Sequence, residues 1–229
     1  MNFDMDIFLH AMQTRAPGHI LEHLQLVLIP MALAMLIALP AGILVTRPAY
    51  RRHAGRVMSL FNAGQTIPPL AVIAIFFPFM GLGYGPALLA LTVYALLPIA
   101  RSTVAAINGV SEDVKDAARG MGMTPGEILF HVELPLALPL IMVGVKTAAV
   151  LTVSTAVLAA LVGGKGMGAV IFAGINFFRF ELILAGTIYI GIMAIAIERL
   201  LTLFERALTP PHLKGAGRRP GSQQSGSQQ

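Results

Sequence analysis

Apolar residues run along this chain in blocks of twenty or more, separated by short polar stretches. Five blocks stand out: Leu24 to Thr46, Met58 to Met80, Pro86 to Ile107, Leu136 to Val162 and Leu182 to Leu203. A helix rising about 1.5 Å per residue needs about 20 apolar residues to cross a hydrocarbon core about 30 Å thick. Each block therefore predicts one membrane-spanning helix, and the chain reads as an all-α polytopic membrane protein. Prolines interrupt the blocks at Pro30, Pro40, Pro68, Pro69, Pro78 and Pro98. Proline frees backbone carbonyls that lipid cannot satisfy, so these helices are expected to pack in a bundle.

The remaining segments are short. Residues 1–23 carry Asp4, Asp6 and a lone Arg15 without an apolar core, the wrong charge order for a cleaved signal peptide. The stretch Met167 to Phe178 follows a glycine-rich hinge (Gly163, Gly164, Gly166, Gly168) and reads as a re-entrant or interfacial piece. The tail from Gly215 to Gln229 has nothing to bury and reads as disordered.

Composition removes several classes of protein. Of 229 residues 56% are hydrophobic and 12% charged, against about 45–50% and about 25% in soluble domains. A soluble enzyme, a secreted disulfide domain and a disordered chain are excluded. With no cysteine there is neither a disulfide framework nor a thiolate metal site. The net charge of +5 has a topological explanation rather than a nucleic-acid one. Arg47, Arg51, Arg52, Arg56, Arg101, Lys115, Arg119, Arg199, Arg206, Lys214, Arg218 and Arg219 fall on one side of the predicted spans. Arg15, Lys165 and Arg179 fall on the other, and Lys146 lies within a span. The positive-inside bias then places the N-terminus outside and the C-terminus in the cytoplasm, which requires an odd number of crossings.

The longest polar connection, Ser111 to Pro135, falls on the cytoplasmic side. Ser111, Glu112 and Asp113 look like a helix start, Val114 to Arg119 a short helix, and Gly120 and Gly122 a break. Thr124, Pro125 and Glu127 fit an N-cap, a first-turn proline and a capping box. They predict a second helix from Pro125 to about Val132, ending before Pro135. Two short helices with a glycine elbow form a compact knob that could dock on a soluble partner through Ile128, Leu129 and Phe130.

Within this loop Asp116-Ala117-Ala118, three residues, Gly122, nine residues, Val132, one residue and Leu134-Pro135 resembles the EAA loop of ATP-binding-cassette importer permeases. Asp stands for the pattern's Glu and Val for its Ile. The resemblance extends over roughly Leu21 to Ala207. In the segments 65–69, 94–99, 117–124, 132–139 and 163–168 it points to the branch that carries osmoprotectants such as glycine betaine, carnitine and choline. It implies the five-helix, MetI-like permease fold of type I importers, with a permease domain over 24–207, a coupling loop at 111–135 and a cytoplasmic tail from 208 to 229. Asp116, Ala117, Ala118, Gly120, Gly122, Val132, Leu134 and Pro135 would form the coupling element. The implied partners are cytoplasmic ATPase subunits, a separate extracytoplasmic binding protein, a second permease subunit and the bilayer of the bacterial cytoplasmic membrane. No cofactor is expected on this chain, since ATP and Mg belong to the ATPase, and no nucleic acid is implied.

Other residues invite a role. Asn62, Gln65 and Thr66, with Ser59 one turn earlier, share a helical face that either lines a path or bonds a neighbouring helix. Lys146 lies about ten residues into the fourth block, with no acidic residue expected at its depth, and is a candidate for path lining, for bonding freed carbonyls or for bonding a second subunit. Gly144, Ala148, Thr152, Ala156 and Ala160 make a small-residue seam, within or between subunits. His19-x-x-Glu22-His23 matches a zinc-peptidase pattern but lacks an acidic third ligand. It defines a competing class, a membrane zinc peptidase, beside a permease for methionine or another small solute. Gly164-Lys165 does not complete a P-loop, so the nucleotide site belongs to another polypeptide.

Overall fold

The computed structural model describes residues 3–209, and all regular elements among them are helices. An N-terminal arm, α1 (Met5–His10) and α2 (Ala16–Gly18) joined by a π turn over Ala11–Arg15, leads into α3 (Ile20–Thr46). A 3-10 turn at Arg51–His53 opens α4 (Ala54–Thr66), followed by α5 (Pro69–Met80) and α6 (Tyr84–Asn108). The short helices α7 (Glu112–Gly120) and α8 (Pro125–Ile128) precede α9 (Leu134–Thr155), α10 (Met167–Asn176) and α11 (Phe180–Leu208). The polar tail assigned from Gly215 onward lies outside the described residues.

Among the described residues, four helical stretches are long and apolar enough to cross a membrane: α3, α6, the rod Pro125–Val162 and α11. The pair Arg51–Thr66 and Pro69–Met80 makes a fifth if counted as one span, bent by 90°. The bend follows from two adjacent prolines. Each disfavours helical backbone in the residue before it, and Ile67 and Pro68 both adopt extended ψ values, 128° and 138°.

The predicted end of the second loop helix before Pro135 is incorrect. The chain passes from α8 through a π turn, Leu129–Glu133, directly into α9, making one rod from Pro125 to Val162. Pro135 lacks an N–H and its ring crowds the preceding turn; the wider π turn places it in the first turn of α9, where the missing donor is tolerated.

Helices α3, α6 and α9 form the centre. Leu26, Val27, Ala34 and Ala38 meet Leu91, Ala95 and Ile99, and Val145, Ala148 and Val153 close the cluster. Small residues set the spacing. A Cβ on Gly42 would stand 2.9 Å from Thr103, and one on Gly144 would stand 2.5 Å from Ser102 Cβ and 2.6 Å from the Pro98 carbonyl. Gly144, Ala148, Thr152 and Ala156 are buried and Ala160 is half-buried, so the small-residue seam lies within the subunit, Gly144 against α6, Thr152 toward Met31 of α3 and Ala160 toward Gly168 of α10. The outside of the bundle is apolar: Leu36 on α3, Phe79 on α5 and Leu200 on α11 are 72%, 84% and 65% exposed. Contiguous apolar surface of this kind belongs against lipid or another subunit.

Gly144→Ala is expected to destabilise the bundle by about 1–3 kcal/mol, because its Cβ meets a backbone carbonyl that cannot swing aside. Gly191→Ala, which meets open space, should leave the thermal unfolding midpoint of the detergent-solubilised protein unchanged. Equal effects would show that the α6–α9 approach is looser than described.

Candidate functional site

The knob between α6 and α9 is built from local rules. Helix α7 starts after Ser111, whose side chain makes no capping bond, so Glu112 and Asp113 in the first turn supply the favourable charge. It ends in a Schellman turn: the amides of Gly122 and Met123 donate to the carbonyls of Arg119 and Ala118 at 2.9 and 3.2 Å. That turn places Gly122 at φ +82°, where a Cβ is disfavoured. The predicted capping box is present. The Thr124 amide donates to Glu127 Oε2 at 2.7 Å, and the Glu127 amide donates to Thr124 Oγ1 at 3.4 Å. The bond from the Thr124 amide, then that from its hydroxyl, holds the Glu127 carboxyl below the ordinary carboxylate range.

Charge holds the knob to the bundle. Glu133 is 4% exposed and Lys115 7% exposed. Arg47, just past α3, reaches Glu133 Oε2 at 2.6 Å, while Lys115 Nζ lies 3.9 Å from Glu133 Oε1 and 2.9 Å from Glu112 Oε1. One carboxylate in the π turn thus ties together the end of α3, helix α7 and the base of α9. Arg47 and Glu133 form a tie that the sequence reading did not single out. The available signal was Glu133 itself: a carboxylate one residue before an apolar span must be paired if it is buried.

Among the expected coupling residues, Asp116 is exposed and pairs with Arg119, Ala117 is exposed and Ala118 is buried. Gly120 closes α7, Val132 lies in the π turn, and Leu134 and Pro135 open α9. Ile128 does not belong to a docking surface; it is 6% exposed, packed within its own chain. The apolar groups the knob presents are Val114, Met121 and Phe130, the last two 75% and 67% exposed.

In α4, Ser59, Asn62 and Thr66 lie on an exposed face. Gln65 Nε2 donates to the Tyr94 carbonyl of α6 at 2.9 Å, and Thr66 Oγ1 donates to the Asn62 carbonyl at 2.9 Å. The expectation that Lys146 has no acidic neighbour is overturned: its Nζ donates to Glu205 Oε2 at 2.7 Å. Helix α11 runs to Leu208, beyond the predicted span, and the long lysine stem carries the ammonium toward it.

The zinc reading of His19, Glu22 and His23 fails on geometry. Both ring nitrogens of His23 are engaged by backbone groups, and His19 Nδ1 lies 2.8 Å from Glu22 Oε2. Among the described residues no group of three or more His, Cys, Asp or Glu is placed to hold a metal.

Fold and site together define a multi-pass helical membrane protein with a buttressed knob at one end. The family described as "binding-protein-dependent transport system inner membrane component" matches residues 38–210, and the chain belongs to it. It is therefore a transport component of the cytoplasmic membrane, not an enzyme. The choline transport system permease protein OpuBB of Bacillus subtilis is 41% identical over 189 residues, covering 82% of this chain and 86% of that protein. The glycine betaine/carnitine/choline transport system permease protein OpuCB of the same organism is 40% identical, covering 85% and 88%. The osmoprotectant import permease protein OsmY of Salmonella typhimurium is 41% identical, covering 82% and 80%. The fold is also that of a chain in inward-facing structures of the MetNI methionine ABC transporter, at a TM-score of 0.74 and 24% identity, covering 87% of this chain and 98% of that one.

Two outcomes follow. Glu133→Gln leaves Lys115 and Arg47 without their shared partner; loss of one member of a buried pair costs about 3–5 kcal/mol, less here because Arg47 is partly exposed. Amide exchange across Glu112–Gly120 should quicken, and unchanged protection would remove the buttress. The capping box is stabilised by a carboxyl whose folded pKa lies below its unfolded value. Its contribution is full above the ordinary value of 4.5 and is lost as pH falls through the lower folded pKa. Helix stability at Thr124–Ile128, followed by NMR across that acid range, should fall with pH in the parent and stay flat in Glu127→Gln.

Proposed function

We propose that this chain is the permease subunit of an ATP-driven importer for quaternary-ammonium osmoprotectants of the glycine betaine, choline and carnitine class. One observation carries the mechanical half: the capped second helix of the knob, α8, and the spanning helix are a single rod from Pro125 to Val162. A force applied at α8 reaches the bundle without a break in the helix, and one applied at α7 reaches the base of α9 through Lys115 and Glu133. The named substrates of relatives about 40% identical over most of the chain support the chemical half.

In this reading the knob faces the cytoplasm and the N-terminus lies outside, as the imbalance of Lys and Arg supports. Cytoplasmic ATPase subunits take Val114, Met121 and Phe130 into a cleft, and Asp116 to Gly122 receive the load. ATP and Mg are held by those subunits. A second permease subunit, identical or a sister chain, closes a path along the exposed face of Ser59, Asn62 and Thr66, with Gln65 behind it. ATP-driven closure draws the knobs together and opens the path outward; release resets it. Lys146, paired with Glu205, presents a neutralised site rather than a free cation that would repel a quaternary amine.

Quaternary ammonium groups are held by aromatic faces. With no Trp and four Tyr in the chain, selectivity is assigned to a separate extracytoplasmic binding protein that delivers the substrate. The likeness to a methionine transporter bears on fold alone, and no feature of the site favours methionine.

The test pairs assembly with uptake. Gly122→Ala forces an alanine into left-handed backbone at a cost of about 1–2 kcal/mol without any steric clash, since nothing lies within 4 Å. It should lower labelled choline or betaine uptake and weaken copurification with the ATPase. Equal ATPase capture after removal of residues 111–135 would sink the docking role, and uptake of methionine in place of choline would sink the substrate class.

A further inference from the structure

The His19-x-x-Glu22-His23 pattern, unused by the mechanism above, sits at the end of the bundle opposite the knob. There the rod changes character. Helix α9 tightens into a 3-10 segment over Ala156–Val162, long for that conformation, and then turns through Gly163 and Gly166 at φ +77° and +98° before α10 begins. Tightened helix followed by left-handed glycines makes a hinge between α9 and α10.

His23 bridges that hinge. It is fully buried, and its Nδ1 accepts from the amide of Met167, the first residue of α10, at 3.3 Å. With Nδ1 accepting, the proton resides on Nε2, which donates to the carbonyl of Val153 in α9 at 3.1 Å. One imidazole from α3 therefore holds the backbone on both sides of the hinge. Glu22 adds a second grip: its Oε2 accepts from the Gly166 amide at 3.2 Å and its Oε1 lies 3.4 Å from Lys165 Nζ. Gly166 permits the approach, since a Cβ there would stand 3.2 Å from His23 Cα and Nδ1.

We infer that His23, supported by Glu22, is a positioning residue that makes α10 travel with α3 and α9, so that displacement of the rod at the knob is transmitted past the hinge to α10 at the far end. The inference rests on the importer reading for its consequence but not for its geometry. A lost hydrogen bond of about 1.4 kcal/mol corresponds to about a tenfold change in an opening equilibrium.

The natural absence of cysteine allows a direct test. Met167→Cys places a thiol at a position 0% exposed, and the rate of its labelling by a maleimide reads the opening of α10 in the complete transporter with its ATPase and binding protein. Adding His23→Ala should raise that rate about tenfold and reduce substrate imported per ATP hydrolysed. His23→Asn sets an acceptor near the position of Nδ1 and should return labelling toward the parent. His23→Gln reaches only the Val153 carbonyl and should not. If His23→Ala fails to assemble, the Asn and Gln pair decides by the same difference. Parent-like labelling in His23→Ala overturns the clamp, as does equal labelling of the Asn and Gln variants. Faster labelling with unchanged uptake per ATP overturns the transmission. Failure of the importer reading would instead appear in the parent as absent uptake, while the labelling rates would still decide whether His23 holds α10.

Discussion

Backbone amides and carbonyls buried in hydrocarbon have no water to bond, and that constraint shapes this molecule more than any single contact. It favours unbroken helix through the spans, and α3, α6 and α9 stay helical through Pro30, Pro40, Pro98 and Pro139. At Pro135 a π turn seats the proline in the first turn of α9, so the helix runs on from the knob into the bundle. The mechanical consequence is the fused rod from knob to far end. Continuity of backbone bonding here is also continuity of force.

Stiffness would be useless without attachment, and two attachments of different chemistry hold the ends of the rod. At the knob end, buried charge meets charge: Glu133 is flanked by Arg47 and Lys115. Such pairs are strong only when all members are present, which makes the joint sensitive to any one substitution. At the far end, neutral hydrogen bonds from His23 and a carboxylate from Glu22 reach backbone amides. Between them, Gly42 and Gly144 let α3 and α9 approach α6 closely enough for dispersion contacts to hold without a hydrophobic driving force.

Much of this was legible beforehand. Apolar block length located the spans, and the Pro68-Pro69 pair located the break that became a 90° bend. The capping box at Thr124 and the turn at Gly122 were readable because both are local: each depends on residues within three or four positions. Reading the second loop helix as ending before Pro135 failed because a proline is a breaker only if the neighbouring backbone cannot rearrange around it. Ile128 was misassigned to a docking surface because residue type does not say which side of a short helix its own chain will cover.

The sequence by itself determined what depends on composition and neighbours: membrane residence, helical class, the site and capping of the knob, and the resemblance that led to the family. Only the tertiary structure decided which distant residues meet. Lys146 found Glu205, 59 positions away, Arg47 found Glu133, and His23 found both Val153 and Met167. These pairings arise from how bent and fused helices stack in three dimensions, and no spacing rule along one helix can specify the partner on another.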